Sequence, residues 1–305
     1  MNILGTGLTG LVGSRITQLL AVQHSFTPIS RLTGIDITNF DQVQNAIVSS
    51  DASVVLHLAA KTDVDGCELD IEKDKELKSL LKEQQTWEGK DTAWAVNVVG
   101  TENIIAACEK TKKHLIYIST DFIFDGDSPS EEGYDEEATG SPVNWYGETK
   151  YQAELRVGES TCPWTIIRLA YPYRSSFTKK EFLRVIMDRL KNNLPVQAIT
   201  DHLMTPTFID DFAFALDTVV SQHATGIFHG VGSQFLSPHE VATQIAHIYG
   251  YDQTLITKTT RAEYFKNKAK RPFKSILKNA KIEKLGIKMH TFEEGLEIVK
   301  KQIEG

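Results

Sequence analysis

Two side chains one helical turn apart carry the chemistry expected of this sequence. Tyr146 and Lys150 fall in the run Tyr146-Gly147-Glu148-Thr149-Lys150, which opens a helical pattern over Tyr146–Gly158. Residues spaced i, i+4 share one helix face. A free phenol with a pKa near ~10 exchanges protons poorly at neutral pH, and a neighbouring ammonium lowers that value by favouring phenolate. The lysine is therefore expected to make the tyrosine usable. Upstream, an apolar strand over Leu115–Ser119 runs into Thr120 and Asp121. A Thr120 hydroxyl there can hydrogen-bond a substrate oxygen while Tyr146 exchanges a proton with it and a nicotinamide exchanges hydride with the adjacent carbon.

The nicotinamide is suggested by the N-terminus. A short apolar strand, Asn2–Leu4, runs into Gly5, Gly7, Gly10 and Gly13 ahead of a helical pattern from Ser14. Such a turn presents bare backbone N–H groups and a helix N-terminus to a pyrophosphate. It reads as G-x-G-x-x-G through Gly5, Gly7 and Gly10, or as G-x-x-G-x-x-G through Gly7, Gly10 and Gly13. The plain structural alternative is a tight turn that packs helix on strand. Y-x-x-x-K is itself a weak pattern, and Tyr264 and Lys268 repeat it late in the chain. That copy has no upstream Ser-Thr and reads as an exposed basic helix face.

The elements that must position these groups alternate. Strands are expected at Asn2–Leu4, Phe26–Ser30, Ser53–Leu58, Leu115–Ser119 and Trp164–Leu169. Helices are expected around Ser14–Val22, Asp41–Ser49, Thr92–Glu109 and Tyr146–Gly158. Such alternation implies an α/β fold with a parallel sheet covered on both faces and ligands at the carboxyl ends of the strands. A less regular region follows, with helices at Lys180–Asn192, Asp210–Ser221, Pro238–Tyr249 and Glu293–Gln302 and a strand at Gly226–His229, as in a smaller, discontinuous second domain. Glu68–Asp91 is highly charged, helical around Leu69–Leu81, and leaves from the ligand edge; it is a solvated excursion or a lid over the cofactor. Asp125–Gly140 is acidic, rich in turn formers, and reads as a solvated surface loop.

Composition narrows the class. With 305 residues, 41% of them hydrophobic, the chain can bury a large core without staples. Cys67, Cys108 and Cys162 are odd in number and form no C-x-x-C, which speaks against a disulfide framework or a zinc site and for a reducing compartment. Neither a leader pattern nor an apolar run approaching ~18 residues is visible, so no membrane association and a cytoplasmic location are expected. A net charge of -7 argues against a nucleic-acid surface. The nine histidines show no metal-ligand spacing, so no metal is expected, and Gly230-Val231-Gly232-Ser233 is no nucleophile elbow.

Taken together, the motifs resemble an extended short-chain dehydrogenase/reductase, and most of all the dTDP-4-dehydrorhamnose reductase family with its sugar-nucleotide-binding relatives. The resemblance runs through Thr6 to Gly13, Asp36-Ile37-Thr38, His57 to Asp65, Asn97 to Thr101, Ser119 to Gly126, Tyr146 to Lys150, Thr205-Pro206-Thr207 and Arg271-Pro272. It implies a Rossmann-type doubly wound sheet, formed by residues 1–170 and about 208–231, and a smaller α/β substrate domain from about 171–207 and 232–305. It implies a catalytic trio of Thr120, Tyr146 and Lys150. On the cofactor it implies Gly7, Thr9, Gly10, Leu11, Val12 and Gly13 at the pyrophosphate, Ser30, Arg31, Asp36 and Ile37 at the adenosine end, Leu58, Ala59, Ala60 and Lys61 along a strand end, Asn97 in support, and Tyr146, Lys150 and Tyr171 near the nicotinamide. The nucleotide-sugar substrate is assigned to Thr62, Val64, Thr120, Asp121, Tyr146, Tyr173, Thr205 and Arg271.

Departures refine this. The acidic residue that would take a ribose 2′-hydroxyl after the second strand is replaced by Ser30-Arg31, and a guanidinium pairs with a 2′-phosphate. NADP is the favoured cofactor, with NAD the alternative if Arg31 caps a loop and Asp36 is the acidic partner. Phe122 stands where related dehydratases carry a glutamate base, so dehydration is not expected. The sequence thus leads to NADPH-dependent reduction of a keto group on a nucleotide sugar, with dTDP-4-dehydro-L-rhamnose as the expected substrate. A non-catalytic subunit resembling the regulatory subunit of methionine adenosyltransferase, and a sugar-nucleotide epimerase, stay as alternatives. A homodimer is kept as the candidate assembly.

Overall fold

The computed structural model describes residues 1–80, 87–127 and 132–305. Its first half contains β1 (Asn2–Thr6), α1 (Leu11–Leu19), β2 (Ser25–Ile29), α2 (Phe40–Val48), β3 (Val54–His57), α3 (Val64–Glu68), α4 (Ile71–Leu80), α5 (Gly100–Thr111), β4 (His114–Thr120), α6 (Trp145–Gly158) and β5 (Trp164–Leu169). Next come β6 (Pro172–Tyr173), α7 (Phe182–Lys191), β7 (Val196–Ile199), β8 (Leu203–Met204), β9 (Thr207–Phe208), α8 (Ile209–Ser221) and β10 (Gly226–His229). The chain closes with α9 (Pro238–Tyr249), β11 (Ile256–Thr259), α10 (Arg261–Tyr264), β12 (Lys274–Ser275), α11 (Ala280–Glu283) and α12 (Phe292–Glu304).

Six strands form one sheet in the order β10-β5-β4-β3-β1-β2. Every pair in it is parallel. Strand order reverses between β1 and β3, so a crevice opens at their carboxyl ends, where ligands of doubly wound sheets bind. Alternate side chains feed opposite faces. Leu4, Val55, Leu115 and Ile166 join the core under α2, α5 and α6, whereas Ile3, Val54, Leu56, Ile116 and Ile167 join the core that includes Phe212 and Leu216 of α8. A separate core gathers α7, β7, α9 and α12 around Leu183, Val241, Ile245 and Phe292. Among the described residues no helix is long and apolar enough to cross a membrane.

Three expectations change. The helix foreseen over Thr92–Glu109 enters as a single π-helical turn over Ala95–Val99 before α5 begins. The region after Asp125 is partly packed instead of solvated: Tyr134 stacks on Phe124 with ring centroids 4.0 Å apart, and buried Glu136 accepts from the His229 backbone N–H. An acidic side chain is held inside there because a strand end offers it an unpaired donor. Residues 128–131 of that segment, and 81 at the end of the foreseen 69–81 helix, lie outside the described residues. Finally, α10 stops at Tyr264, so Tyr264 and Lys268 share no helix; Tyr264 lines a cavity instead.

Candidate active site

A crevice of about 690 Å³ lies over the carboxyl edge of β1, β3 and β4. Its floor is the turn between β1 and α1. Gly7 has φ +67°, and a Cβ there would lie 2.7 Å from the Ala59 nitrogen, so the β1 and β3 ends close on each other only around a glycine. Gly10 is the N-cap of α1 and brings no side-chain capping bond, which leaves the start of the helix free to meet an anion. Gly5 sits inside β1, packed against Leu8, and is not part of the lining. The turn is therefore used through Gly7, Gly10 and Gly13.

Buried hydrogen bonds hold the strand ends together. Thr101 donates its hydroxyl to the Asn97 carbonyl, so His57 donates Nε2–H to Thr101 and accepts from Thr6 at Nδ1, 2.7 Å away. The Thr6 oxygen in turn accepts the Leu58 and Ala59 N–H groups. His57 remains neutral: burial, and then the charge of Lys150, pull it down to about 3. Asn97 clamps Lys61 through both backbone groups and donates to Thr149 of α6.

The reactive wall comes from β4 and α6. A Cβ on Gly147 would lie 2.1 Å from the Phe122 carbonyl, so the first turn of α6 rests directly on the backbone beyond β4. Tyr146 and Thr120 thereby meet in the same wall of the crevice. Here the sequence expectation is corrected. The phenol of Tyr146 is raised, not lowered: burial disfavours phenolate, the Thr120 bond partly offsets this, and the Asp121 charge adds to it. Lys150 is not among the groups that offset the shift, and burial drags its own ammonium down to about 7. Its Nζ donates to the Ile118 carbonyl at 2.8 Å and sits 4.0 Å from the centre of the Tyr117 ring. A raised phenol stays protonated, which suits it to giving a proton. Asp121 is buried too, its carboxyl pushed up to about 6 by desolvation.

The adenosine end is polar and half-open. Asp36 spends one carboxylate oxygen on the N–H and hydroxyl of Thr38 and gives the other to Arg31 at 2.9 Å. A carboxylate so engaged has little left for a ribose hydroxyl. Arg31 also reaches Asp91 at 3.5 Å and remains 55% exposed at its side chain, so its guanidinium can meet a phosphate.

Of the residues singled out, Gly7, Thr9, Gly10, Leu11, Val12, Gly13, Ser30, Arg31, Asp36, Ile37, Leu58, Ala59, Ala60, Thr62, Val64, Thr120, Asp121, Tyr146, Lys150 and Tyr171 line this one crevice. Others do not. Tyr173 is buried among Phe182, Phe208 and Phe292, where an aromatic ring gains more from packing than from the crevice. Thr205 is buried and accepts from the Leu277 N–H. Arg271 pairs with Asp65 at 2.8 Å, and Lys61 with Asp70 at 2.6 Å. Asn97 stands behind the wall as a brace. Asp91 and Phe122 line the crevice without having been assigned there; the acidic residue closing the charged segment was the available sign.

The family model described as RmlD substrate binding domain matches residues 1–86 and 82–304. The chain belongs to this family. It is thus an extended short-chain dehydrogenase/reductase of the RmlD type. It is 28% identical over 95% of its length, and 94% of the relative's, to the probable low-salt glycan biosynthesis reductase Agl14 of Haloferax volcanii. With dTDP-4-dehydrorhamnose reductase of Mycolicibacterium smegmatis it shares 30% identity over 77% of this chain and 66% of that one. The crystal structure of dTDP-4-dehydrorhamnose reductase from Bacillus anthracis in complex with NADP superposes with a TM-score of 0.84 at 26% identity, covering 99% of each chain.

Proposed function

We propose that this protein reduces the 4-keto group of dTDP-4-dehydro-L-rhamnose with NADPH to give dTDP-L-rhamnose. The chain is a nicotinamide-dependent nucleotide-sugar reductase of the extended short-chain type, and relatives named for the dTDP-rhamnose reaction support the finer reading. The observation that carries it is Tyr146, buried beside Thr120 in the wall of a crevice floored by the uncapped start of α1, where burial favours the protonated phenol. Those features fit a dinucleotide: N–H groups for its pyrophosphate, Arg31 for a 2′-phosphate. When bound, NADPH supplies the hydride. Tyr146 gives its proton to the oxygen of the reduced carbonyl, and Thr120 orients that oxygen. Lys150 supports the phenol's side of the wall through Ile118 and Tyr117.

A second cavity of about 670 Å³ shares Tyr171 with the crevice and is lined by Arg189, Pro195 and Tyr264, room for the nucleotide end of such a substrate. The Haloferax relative favours a second reading, reduction of a different glycan precursor at the same site. Tyr146→Phe tests the chemistry. It should keep NADPH affinity within about twofold and lower kcat by about 100-fold or more, the scale of general acid catalysis; wild-type turnover would refute the role. NADPH binding without turnover on any keto-sugar nucleotide would favour a regulatory subunit, and tightly retained NAD an epimerase.

A further inference from the structure

The charged segment after β3 is docked against the catalytic wall through a buried carboxylate. Asp74 lies in α4, a helix whose Glu72, Lys73, Lys75 and Glu76 are all exposed, yet Asp74 itself is 0% exposed. Burying a carboxylate is costly unless donors meet it, and here both donors converge on one oxygen while Oδ1 has no hydrogen-bond partner. Its Oδ2 accepts the Trp94 backbone N–H at 3.1 Å and the indole N–H of Trp145 at 2.8 Å. Glu68, the last residue of α3, accepts the backbone N–H of the same Trp145 at 2.9 Å. That N–H is one of the orphan donors of α6, where a negative charge is also favoured by the helix dipole. The Trp94 and Trp145 rings stack with centroids 5.9 Å apart, and the Lys78 ammonium stands 2.9 Å from the centre of the Trp94 ring.

Residue 145 is therefore gripped at its backbone and at its side chain by the charged segment. The next residue is Tyr146. The phenol-bearing side chain packs against Cys67 and Ala93, at the two ends of the same excursion. We propose that Asp74, assisted by Glu68, is a positioning residue for Tyr146: α3 and α4 act as a splint that fixes the first turn of α6. This assignment rests on Tyr146 being the proton donor. A reacting group misplaced by about 1 Å can cost a factor of ~100 in rate. Losing Asp74 strands two donors and frees the indole, while the crevice floor at Gly7 to Gly13 is untouched.

The test compares Asp74→Ala with Asp74→Asn, whose amide oxygen can still accept both N–H groups. With NADPH and dTDP-4-dehydro-L-rhamnose, Asp74→Ala should lower kcat by about 10- to 100-fold while the KM for NADPH changes less than about threefold. Asp74→Asn should recover kcat to within about threefold of wild type. Trp145→Phe, which keeps a stacking ring and removes the donor, should lower kcat as well, and adding Asp74→Ala to it should cost less than Asp74→Ala costs in the wild type, since only the Trp94 N–H is then newly stranded. It also serves if Asp74→Ala does not fold. A substrate-free arm follows amide hydrogen exchange in the NADPH complex: Asp74→Ala should speed exchange in residues 145–150 and leave residues 7–13 as in wild type, with Asp74→Asn unchanged in both. Should the wild type reduce none of the keto-sugar nucleotides offered, the functional reading fails and the exchange arm judges the splint by itself. The splint is overturned by wild-type kcat and exchange in Asp74→Ala, by equal damage from Asn and Ala, or by exchange rising throughout the chain.

Discussion

Replacing Lys150 with methionine should make the ligand-free protein more stable in mild acid and leave it nearly unchanged in mild base. Lys150 is 3% exposed, and burial brings its ammonium from the ordinary 10.5 down to about 7. That gap corresponds to roughly 5 kcal/mol against the charged form in the folded state. The sign follows from which state holds the proton. Below pH 7 the folded chain carries a buried charge that the unfolded chain keeps in water, so the whole penalty is present. Between pH 7 and 10.5 the folded amine is neutral while the unfolded one stays charged, and the penalty shrinks by about 1.4 kcal/mol per pH unit, to roughly 2 kcal/mol at pH 9. Methionine keeps the apolar stem but loses the bond to Ile118 and the contact with the Tyr117 ring, together worth about 1–3 kcal/mol. The net gain is then roughly 2–4 kcal/mol at pH 6 and near zero at pH 9. Urea unfolding of both proteins at the two pH values measures it. A difference that is independent of pH, or that grows toward pH 9, would refute the reasoning.

Asp121 gives the opposite pH trend. Its carboxyl is pushed from 3.8 to about 6, so the penalty for ionising it appears as pH rises through that window; Asp121→Asn should stabilise the chain by up to about 3 kcal/mol at pH 7 and by less than about 1 kcal/mol at pH 4, in the same unfolding assay. Arg31→Ala should weaken NADPH about tenfold and NADH barely, while Asp91→Asn, which removes an exposed carboxylate competing for that guanidinium, should tighten NADPH by up to about fivefold. Fluorescence titration of both cofactors reads this, and equal losses for NADPH and NADH in Arg31→Ala would contradict the 2′-phosphate role.

Much of the site was legible because its signals are local. The glycine turn, the strand-end Thr120 and the i, i+4 pair Tyr146 and Lys150 each occupy a few consecutive residues, and the alternation of elements fixes the sheet edge at which they meet. What the sequence concealed is tertiary. The spacing of Tyr146 and Lys150 says that they share a helix face, but not that both are buried, and burial inverted the expected effect on the phenol. Tyr173 and Tyr171 look alike as neighbours in sequence, yet one enters an aromatic core and the other lines the crevice. Asp74 reads as one more charge on a solvated helix until Trp145, distant in sequence, is folded against it. The short strands β7 and β11 pair with each other 60 residues apart and carry no pattern long enough to announce themselves.

The central claim is that this crevice delivers hydride to one sugar carbon while Tyr146 delivers the proton. NADPH carrying deuterium at the transferable C4 position, incubated with the protein and dTDP-4-dehydro-L-rhamnose, tests it directly. The account requires one deuterium at sugar C4 of the dTDP-L-rhamnose formed, with that transfer lost in Tyr146→Phe. NADPH bound but left unoxidised, or product formed with no deuterium at C4, would contradict it.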